Sequence, residues 1–385
     1  MTEPGPGAPN QSVNQPPPKD QPRLFRTLTS DIHEVTADFG RRGVGGITAT
    51  FEEIEAFYLD EASRRRLAAA GRIRRFILRC SWLVRSLLMK LTPVRRIMLA
   101  FALLLLLPGI HFGGDQGLRV DLEAPFVSFL IVLIVLMLEL KDKLIARNEL
   151  VAGRAVQLAL MPPESPRVPG WDIYLYTEPA NDVGGDLVDH LQIDERHHGI
   201  ALGDVAGKAL PAALLMVKLQ ATLRALVPLF PALNELGAAL NRILHRDGLP
   251  NRFATLVYLA LTTGDGHVRY LNAGHVPPLV IRGSAIEELK DSSIALGFIP
   301  DAEFAERAVS LAAGDVLVIV SDGVIEAVDA SDEFFGDDRL RAALTAVAGQ
   351  PARELGQAIL SALRPFVGEK KPHDDVSIVV VRRQV

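Results

Sequence analysis

Hydrophobic and polar positions change pattern several times along the chain. The longest apolar runs are Ile97–Phe112 and Pro125–Leu138, joined by the short polar link GGDQGLRVD, Gly113–Asp121. Each run is a little shorter than the roughly 20 residues that cross a bilayer as a helix, so flanking residues must complete the span. Arg95 and Arg96 precede the first run; Lys141, Lys143 and Arg147 follow the second. By the positive-inside rule this predicts a transmembrane hairpin over residues 97–138 with both ends cytoplasmic. A helical hairpin buried in a soluble core is the competing reading.

The segment before the hairpin is basic and periodic. Ala62–Arg96 holds eleven Arg or Lys and no acid. Ile73, Phe76, Ile77, Cys80, Leu83, Val84, Leu87, Leu88 and Leu91 recur at helical spacing, with Leu78, Trp82 and Met89 off the stripe. Residues 23–96 therefore read as a cytoplasmic juxtamembrane region with a basic helix against the membrane surface. The first 22 residues carry seven prolines and no apolar core, which predicts a disordered tail and not a signal peptide.

Behind the hairpin, residues 139–162 read as a linker helix that PPESPRVPG stops. Met137, Leu144, Val151 and Leu158 recur every seven residues, with Asn148 and Ala155 at the companion positions. Such a heptad, with one polar residue to set register, predicts a coiled coil that would pair two copies as a homodimer. An amphipathic connector without a partner fits the same spacing.

From Trp171 onward the period shortens to that of strands. WDIYLY, DLVDHLQI, HGIALGD, FATLVYLAL, HVRYLNAG, PPLVIRG, DVLVIVSD and DVSIVVV each read as a strand, and TTGDGH as a hairpin turn. Helical patterns cover Leu210–Leu226, Ala232–His245, Asp338–Val347 and Pro351–Phe366. Strands with helices bunched in pairs predict an α+β domain over residues 163–385, sheets inside and helices outside.

Composition narrows the function. The net charge of −5 and pI near 6.0 leave no basic field for nucleic acid, which weakens a nuclease reading. A single cysteine, Cys80, excludes a zinc–thiolate centre and an internal disulfide framework.

Carboxylates stand at equivalent places near strand ends: Asp186 in VGGD, Asp204 in GDVAGK, Asp322 in VSDGV, and Asp374–Asp375 in HDDVSIVV. Singly, each reads as a turn residue. If those ends converge, the charges repel unless cations neutralise them, and hard divalent ions take oxygen ligands. His197 and His198 read as an exposed hairpin tip, and His275 in NAGHVPP as a turn.

The order VGGDLVD, GDVAGKALPAALLM, NRFATLVY, YLNAGHVPPLV, ALGF, GDVLVIVSDGVIEA, EFFGDDRL, DDVSIVVV, over about Gln157–Arg382, resembles the SpoIIE/RsbU branch of the metal-dependent PPM serine/threonine phosphatases. That resemblance implies an αββα sandwich, preceded here by the hairpin and linker helix. It implies two divalent cations, Mn²⁺ or Mg²⁺, that activate a water to attack phosphorus without a covalent enzyme intermediate. Carried onto this chain, Asp204 would bridge the metals, the Val205 carbonyl would complete one site, and Asp322 and Asp374 would hold the second. Asp186 would join directly or through water, and Asp204 and Asp322 are the expected catalytic pair. Asp189, Asp375 and Lys208 are expected in supporting or undecided places.

The sequence departs from the eukaryotic pattern Asp-Gly-His-Gly, since Asp204 is followed by Val205, Ala206 and Gly207. That leaves the proton donor to the leaving group unassigned. Leu187 and Val188 replace a common aromatic pair, and Ala209 a common glycine. The resemblance implies a phosphorylated regulatory protein as substrate, of the anti-sigma factor antagonist type. A silent membrane scaffold that binds a phosphoprotein is the alternative, disfavoured by the complete acidic set.

Overall fold

The computed structural model describes residues 88–107, 124–247 and 252–384. The expectations for the Pro-rich tail, for most of the basic segment including Cys80, and for the link between the apolar runs lie outside them. The chain divides into two compact units, Met1–Leu140 and Lys141–Val385.

In the first unit, helix α1 spans Pro93–Leu105, with Pro93 in the first turn where its missing N–H costs nothing. Helix α2, Ala124–Leu160, starts in this unit and runs without a break through the second apolar run into the linker segment. Ser128 Oγ donates to the Ala102 carbonyl at 2.7 Å, and Arg95 pairs with Glu139 at 2.8 Å. These two contacts set α1 and the start of α2 side by side and antiparallel. Large apolar side chains there stay exposed, among them Ile97, Phe101, Phe126, Phe129 and Leu136. Among the described residues, the helix long and apolar enough to cross a membrane by length and composition is instead Ala209–Leu226, which is packed in a protein core.

The second unit is built on two five-stranded antiparallel sheets. Its strands are β1 Trp171–Glu178, β2 Leu187–Gln192, β3 His197–Val205, β4 Ala254–Thr262, β5 His267–Ala273, β6 Leu279–Arg282, β7 Ala285–Glu288, β8 Arg307–Ser310, β9 Val316–Val320 and β10 Val376–Arg383. One sheet has the order β1-β10-β9-β6-β7, the other β2-β3-β4-β5-β8. Helices α3 (Ala209–Leu226) and α4 (Leu233–Asp247) cover the second sheet; α6 (Gly336–Ala346) and α7 (Ala352–Val367) cover the first. One-turn helix α5, Asp322–Ile325, leaves the end of β9.

Three apolar layers hold this sandwich. Between the sheets lie Ile200, Leu202, Val257, Leu259, Leu317, Ile319 and Val379, taken from alternate positions of their strands. The intervening residues face helices: Ala201 and Tyr258 pack on α3 and α4, and Val318 and Val380 on α6 and α7. A strand buried on both faces reads as a continuous apolar run, and β10, VSIVVV, is such a strand. Helix α3 buries Ala212, Leu215, Met216, Leu219 and Leu223 at helical spacing while Leu214 stays exposed. Each fully buried leucine is worth about 2 kcal/mol, which is what fixes α3 against β2 and β3. The four expected helices of this domain and all eight expected strands form, within a few residues of their expected ends.

Candidate metal-dependent active site

The VGGD turn between β1 and β2, the end of β3, the β9–α5 junction and the loop before β10 bring the acidic residues together. Asp204 lies in β3, paired with Thr255 of the neighbouring strand. Asp322 opens α5 behind Ser321. Asp374 and Asp375 precede Val376, the first residue of β10. These positions adjoin because β10 and β9 are paired in one sheet, while β3 begins its pairing with β2 directly after Asp186.

The charges register one another. Burial, then the negative charge of Asp322 and Asp374, pushes the Asp204 carboxyl up to about 7. Burial and then Asp374 raise Asp322, and burial followed by Asp204 raises Asp186 well above the ordinary carboxylate range. Ser377 offsets part of that for Asp186 by donating to its Oδ2 at 2.5 Å. Like charges held this close in a poorly solvated pocket favour the protonated form unless a cation intervenes. Among the described residues, no three His, Cys, Asp or Glu side chains already form a group that could enclose a metal ion. The arrangement is therefore an electrostatic grouping of all-oxygen donors, suited to hard divalent ions, and not a finished coordination sphere.

Asp375 has a different job from its neighbour. Its carboxylate accepts backbone N–H groups from Ala180 at 2.8 Å, Gly185 at 2.6 Å and Asp186 at 3.2 Å. Both oxygens are thus spent holding the turn that carries Asp186. The glycines of VGGD and SDG follow from this packing: a Cβ on Gly184 would overlap the Asp375 carboxylate, and one on Gly323 the Asp375 carbonyl. Ser321 Oγ donates to that same carbonyl at 2.9 Å and accepts from Ser377 N–H. Nothing in the residue pattern singled out Ser321 or Ser377.

A third unforeseen contributor is Gln157 of α2. Its amide donates to the Gly184 carbonyl at 2.9 Å and accepts from Gly184 N–H at 3.2 Å, buried on both counts. One residue type that can both give and take a hydrogen bond thereby holds the two peptide groups that flank the Gly184 Cα in the acidic turn.

Asp189 lies away from the cluster. Fully buried on β2, it makes a bidentate ion pair with Arg224 of α3, at 2.7 and 2.8 Å. Lys208 is exposed and donates to the His373 carbonyl at 3.0 Å, tying the GDVAGK loop to the segment carrying Asp374. Ala209 has φ of 60°, a left-handed conformation that costs a non-glycine residue about 1–2 kcal/mol.

One histidine expectation needs revision. His197 is exposed at the tip as expected, but His198 is buried, stacked on His190 with ring nitrogens 3.2 Å apart. Parity explains the difference: His198 shares the inward face of β3 with Ile200 and Leu202. His275 does sit in a turn, yet it is buried, its Nδ1 2.7 Å from Thr255 Oγ1. Burial lowers it to about 4, the Val320 backbone offsetting a little of that shift. The unfolded ring protonates near pH 6.5 while the native one does not until about 4, so stability falls as pH drops from 6.5 to 4. The full loss is on the order of 3 kcal/mol at about 1.4 kcal/mol per unit. His275→Asn should remove this component, so the variant's melting temperature should fall less than that of the parent between pH 7 and pH 4.5. Parallel declines would refute the buried neutral ring.

Residues 194–384 match the family described as Stage II sporulation protein E (SpoIIE). Protein IcfG of Synechocystis is 28% identical over 273 residues, covering 64% of this chain and 43% of IcfG. The phosphoserine phosphatase RsbU of Bacillus subtilis is 26% identical over 241 residues, 62% of this chain and 71% of RsbU. This chain thus spans less than half of IcfG and about seven tenths of RsbU. Among solved structures, the SiaA-PP2C domain of Pseudomonas aeruginosa superposes with a TM-score of 0.54 at 20% identity, over 63% of this chain and 98% of that one, a likeness of fold. The C-terminal part of the chain is thus similar in sequence to SpoIIE and to the phosphoserine phosphatase RsbU, and it shares its fold with the SiaA-PP2C domain.

Proposed function

We propose that the chain is a membrane-tethered, metal-dependent protein phosphatase that hydrolyses phosphoserine or phosphothreonine on a regulatory protein of the partner-switching type. The observation that carries this reading is the gathering of Asp186, Asp204, Asp322 and Asp374 from four separate places in the sequence, close enough that Asp204 raises Asp186 while Asp322 and Asp374 raise Asp204.

The residues that would hold two divalent cations, Mn²⁺ or Mg²⁺, are Asp186, Asp204, the Val205 carbonyl, Asp322 and Asp374. When bound, such ions supply Lewis acidity toward phosphate oxygens and lower the pKa of water. The remaining work falls to the chain. Asp375 orients the turn bearing Asp186 through three backbone N–H groups. Ser377 keeps the Asp186 carboxylate aimed from below. Lys208, exposed at the mouth, adds a positive charge where a phosphate dianion would approach.

Tethering rests on the exposed apolar surfaces of α1 and of the first half of α2, with Arg95, Lys141, Lys143 and Arg147 at the cytoplasmic ends. Pairing of two copies rests on Leu144, Val151 and Leu158, exposed on α2 at seven-residue spacing. The regulatory phosphoprotein is inferred from the likeness to RsbU, named a phosphoserine phosphatase.

The test uses the full-length chain extracted from membranes in detergent. Phosphate release from a phosphoserine peptide should require added Mn²⁺ or Mg²⁺ and stop with EDTA, and the activity should sediment with membranes until detergent is added. Hydrolysis unaffected by EDTA would overturn the metal chemistry; activity that stays in the detergent-free supernatant would overturn the tether.

A further inference from the structure

A cavity of about 340 Å³ opens beside the acidic cluster, between the C-terminal half of α7, the turn after α5 and the start of β10. Its walls are apolar: Val328, Leu360, Leu363, Val367 and Val376. Gly323 and His373 form the side nearest the cluster, and they are the immediate sequence neighbours of Asp322 and Asp374. Lys208 holds the His373 carbonyl, so this lip is fixed to the GDVAGK loop as well.

The charged groups around the cavity are unequal. Arg364 is committed to Tyr176 Oη at 3.1 Å and Glu178 at 3.5 Å, and Lys370 to Asp332 at 2.7 Å. Lys371, exposed on the rim, has no hydrogen-bond or ion-pair partner among the described residues. What the site offers is therefore apolar volume for a side chain and one uncommitted cation. A small polar metabolite would find few unpaired groups in the wall to orient it, whereas a protein segment carries both complements. Extended chain advances about 3.3 Å per residue, so a phosphorylated residue at the acidic cluster places its near neighbours within reach of the cavity.

We propose that this cavity is a specificity subsite that receives an apolar side chain flanking the phosphorylated residue of the protein substrate, while Lys371 meets an acidic residue beside it. The inference rests on the phosphatase reading above and names what that site selects. Burial of one leucine in place of alanine, worth about 2 kcal/mol in transfer terms, sets the scale of discrimination.

The full-length chain in detergent with Mn²⁺ is assayed on phosphoserine peptides of one background. Leucine, alanine or lysine is placed singly at each of the three positions on either side of the phosphoserine. Para-nitrophenyl phosphate, too small to reach the cavity, reports the reaction alone. One flanking position should favour leucine over alanine about tenfold in kcat/KM. In Val367→Trp, which puts an indole ring on the cavity wall and narrows the space for a leucine side chain, that ratio should fall to within about twofold of one; being internal to each variant, it is insensitive to a general loss of activity. At the exposed rim, where folding is not at stake, Lys371→Glu should reverse a preference for glutamate over lysine beside the leucine. A leucine preference absent from every position, or undiminished in Val367→Trp with the glutamate preference undiminished in Lys371→Glu, overturns the subsite. Failure to hydrolyse either the aryl phosphate or any peptide overturns the phosphatase reading itself.

Discussion

Asp204→Asn should leave a folded protein whose phosphopeptide hydrolysis is slower by about a thousandfold or more, since loss of several kcal/mol of transition-state stabilisation corresponds to roughly one decade per 1.4 kcal/mol. The same substitution should act oppositely on stability. Asp204 is the carboxylate that Asp322, Asp374 and Asp375 all oppose, in a poorly solvated place. A neutral amide relieves that opposition, so in EDTA the variant should melt higher than the parent chain. Adding Mn²⁺ should then raise the parent's melting temperature through binding to the native state, and the variant's much less. The crossed pattern is the informative part: a residue needed only for folding would lose stability on substitution in EDTA. A variant that retains both the parent's activity and its Mn²⁺ response would show that the acids gather for another purpose.

Arg224→Ala should cost about 1–3 kcal/mol, below the roughly 3–5 kcal/mol of a pair buried on both sides, because the Arg224 side chain is 44% exposed and already partly solvated. Asp189 is wholly buried on β2, and both its oxygens are engaged by the Arg224 guanidinium from α3. Asp189→Asn in the Arg224→Ala background should recover part of the loss, because it removes the stranded charge. Arg224→Lys should recover little, because an ammonium cannot span both oxygens. Denaturant midpoints of the four proteins measure this; a single substitution costing under 1 kcal/mol would mean that water reaches Asp189 in the native state.

Much of the fold was readable in the residues for a simple reason. Central strands such as β10 and β9 are apolar on both faces, and helices α3, α4 and α7 carry apolar residues at helical spacing. Strands β7, AIEE, and β8, RAVS, escaped because they are four-residue edge strands with mostly exposed side chains. Edges are held by one neighbour and need little hydrophobicity of their own. The α5 turn escaped because four residues are too few to show a period.

At the site, the acids were legible because each stands beside glycine or at a strand end. Their separate duties were less so. Asp374 and Asp375 are identical in type and adjacent, yet only the fold shows that Asp375 spends both oxygens on backbone N–H groups. Ser321, Ser377 and Gln157 were invisible for a related reason: serines and glutamines are common, and their value here lies in hydrogen bonds spanning 27 to 191 positions of sequence. His198 was misjudged because two adjacent histidines on a strand face opposite ways, and only its register decides which is covered.

The Gln157 clamp also limits how α2 can move. Gln157 holds both the N–H and the carbonyl of Gly184, two residues ahead of Asp186, and three positions further along the carbonyl of Leu160 receives Gln220 of α3 at 3.0 Å. Sliding or turning the end of this rod must either drag the acidic turn and the covering helix with it or rupture three bonds at once. Its final turn thus has one strongly preferred seating, and the aim of Asp186 is set by a helix that is no part of the sandwich.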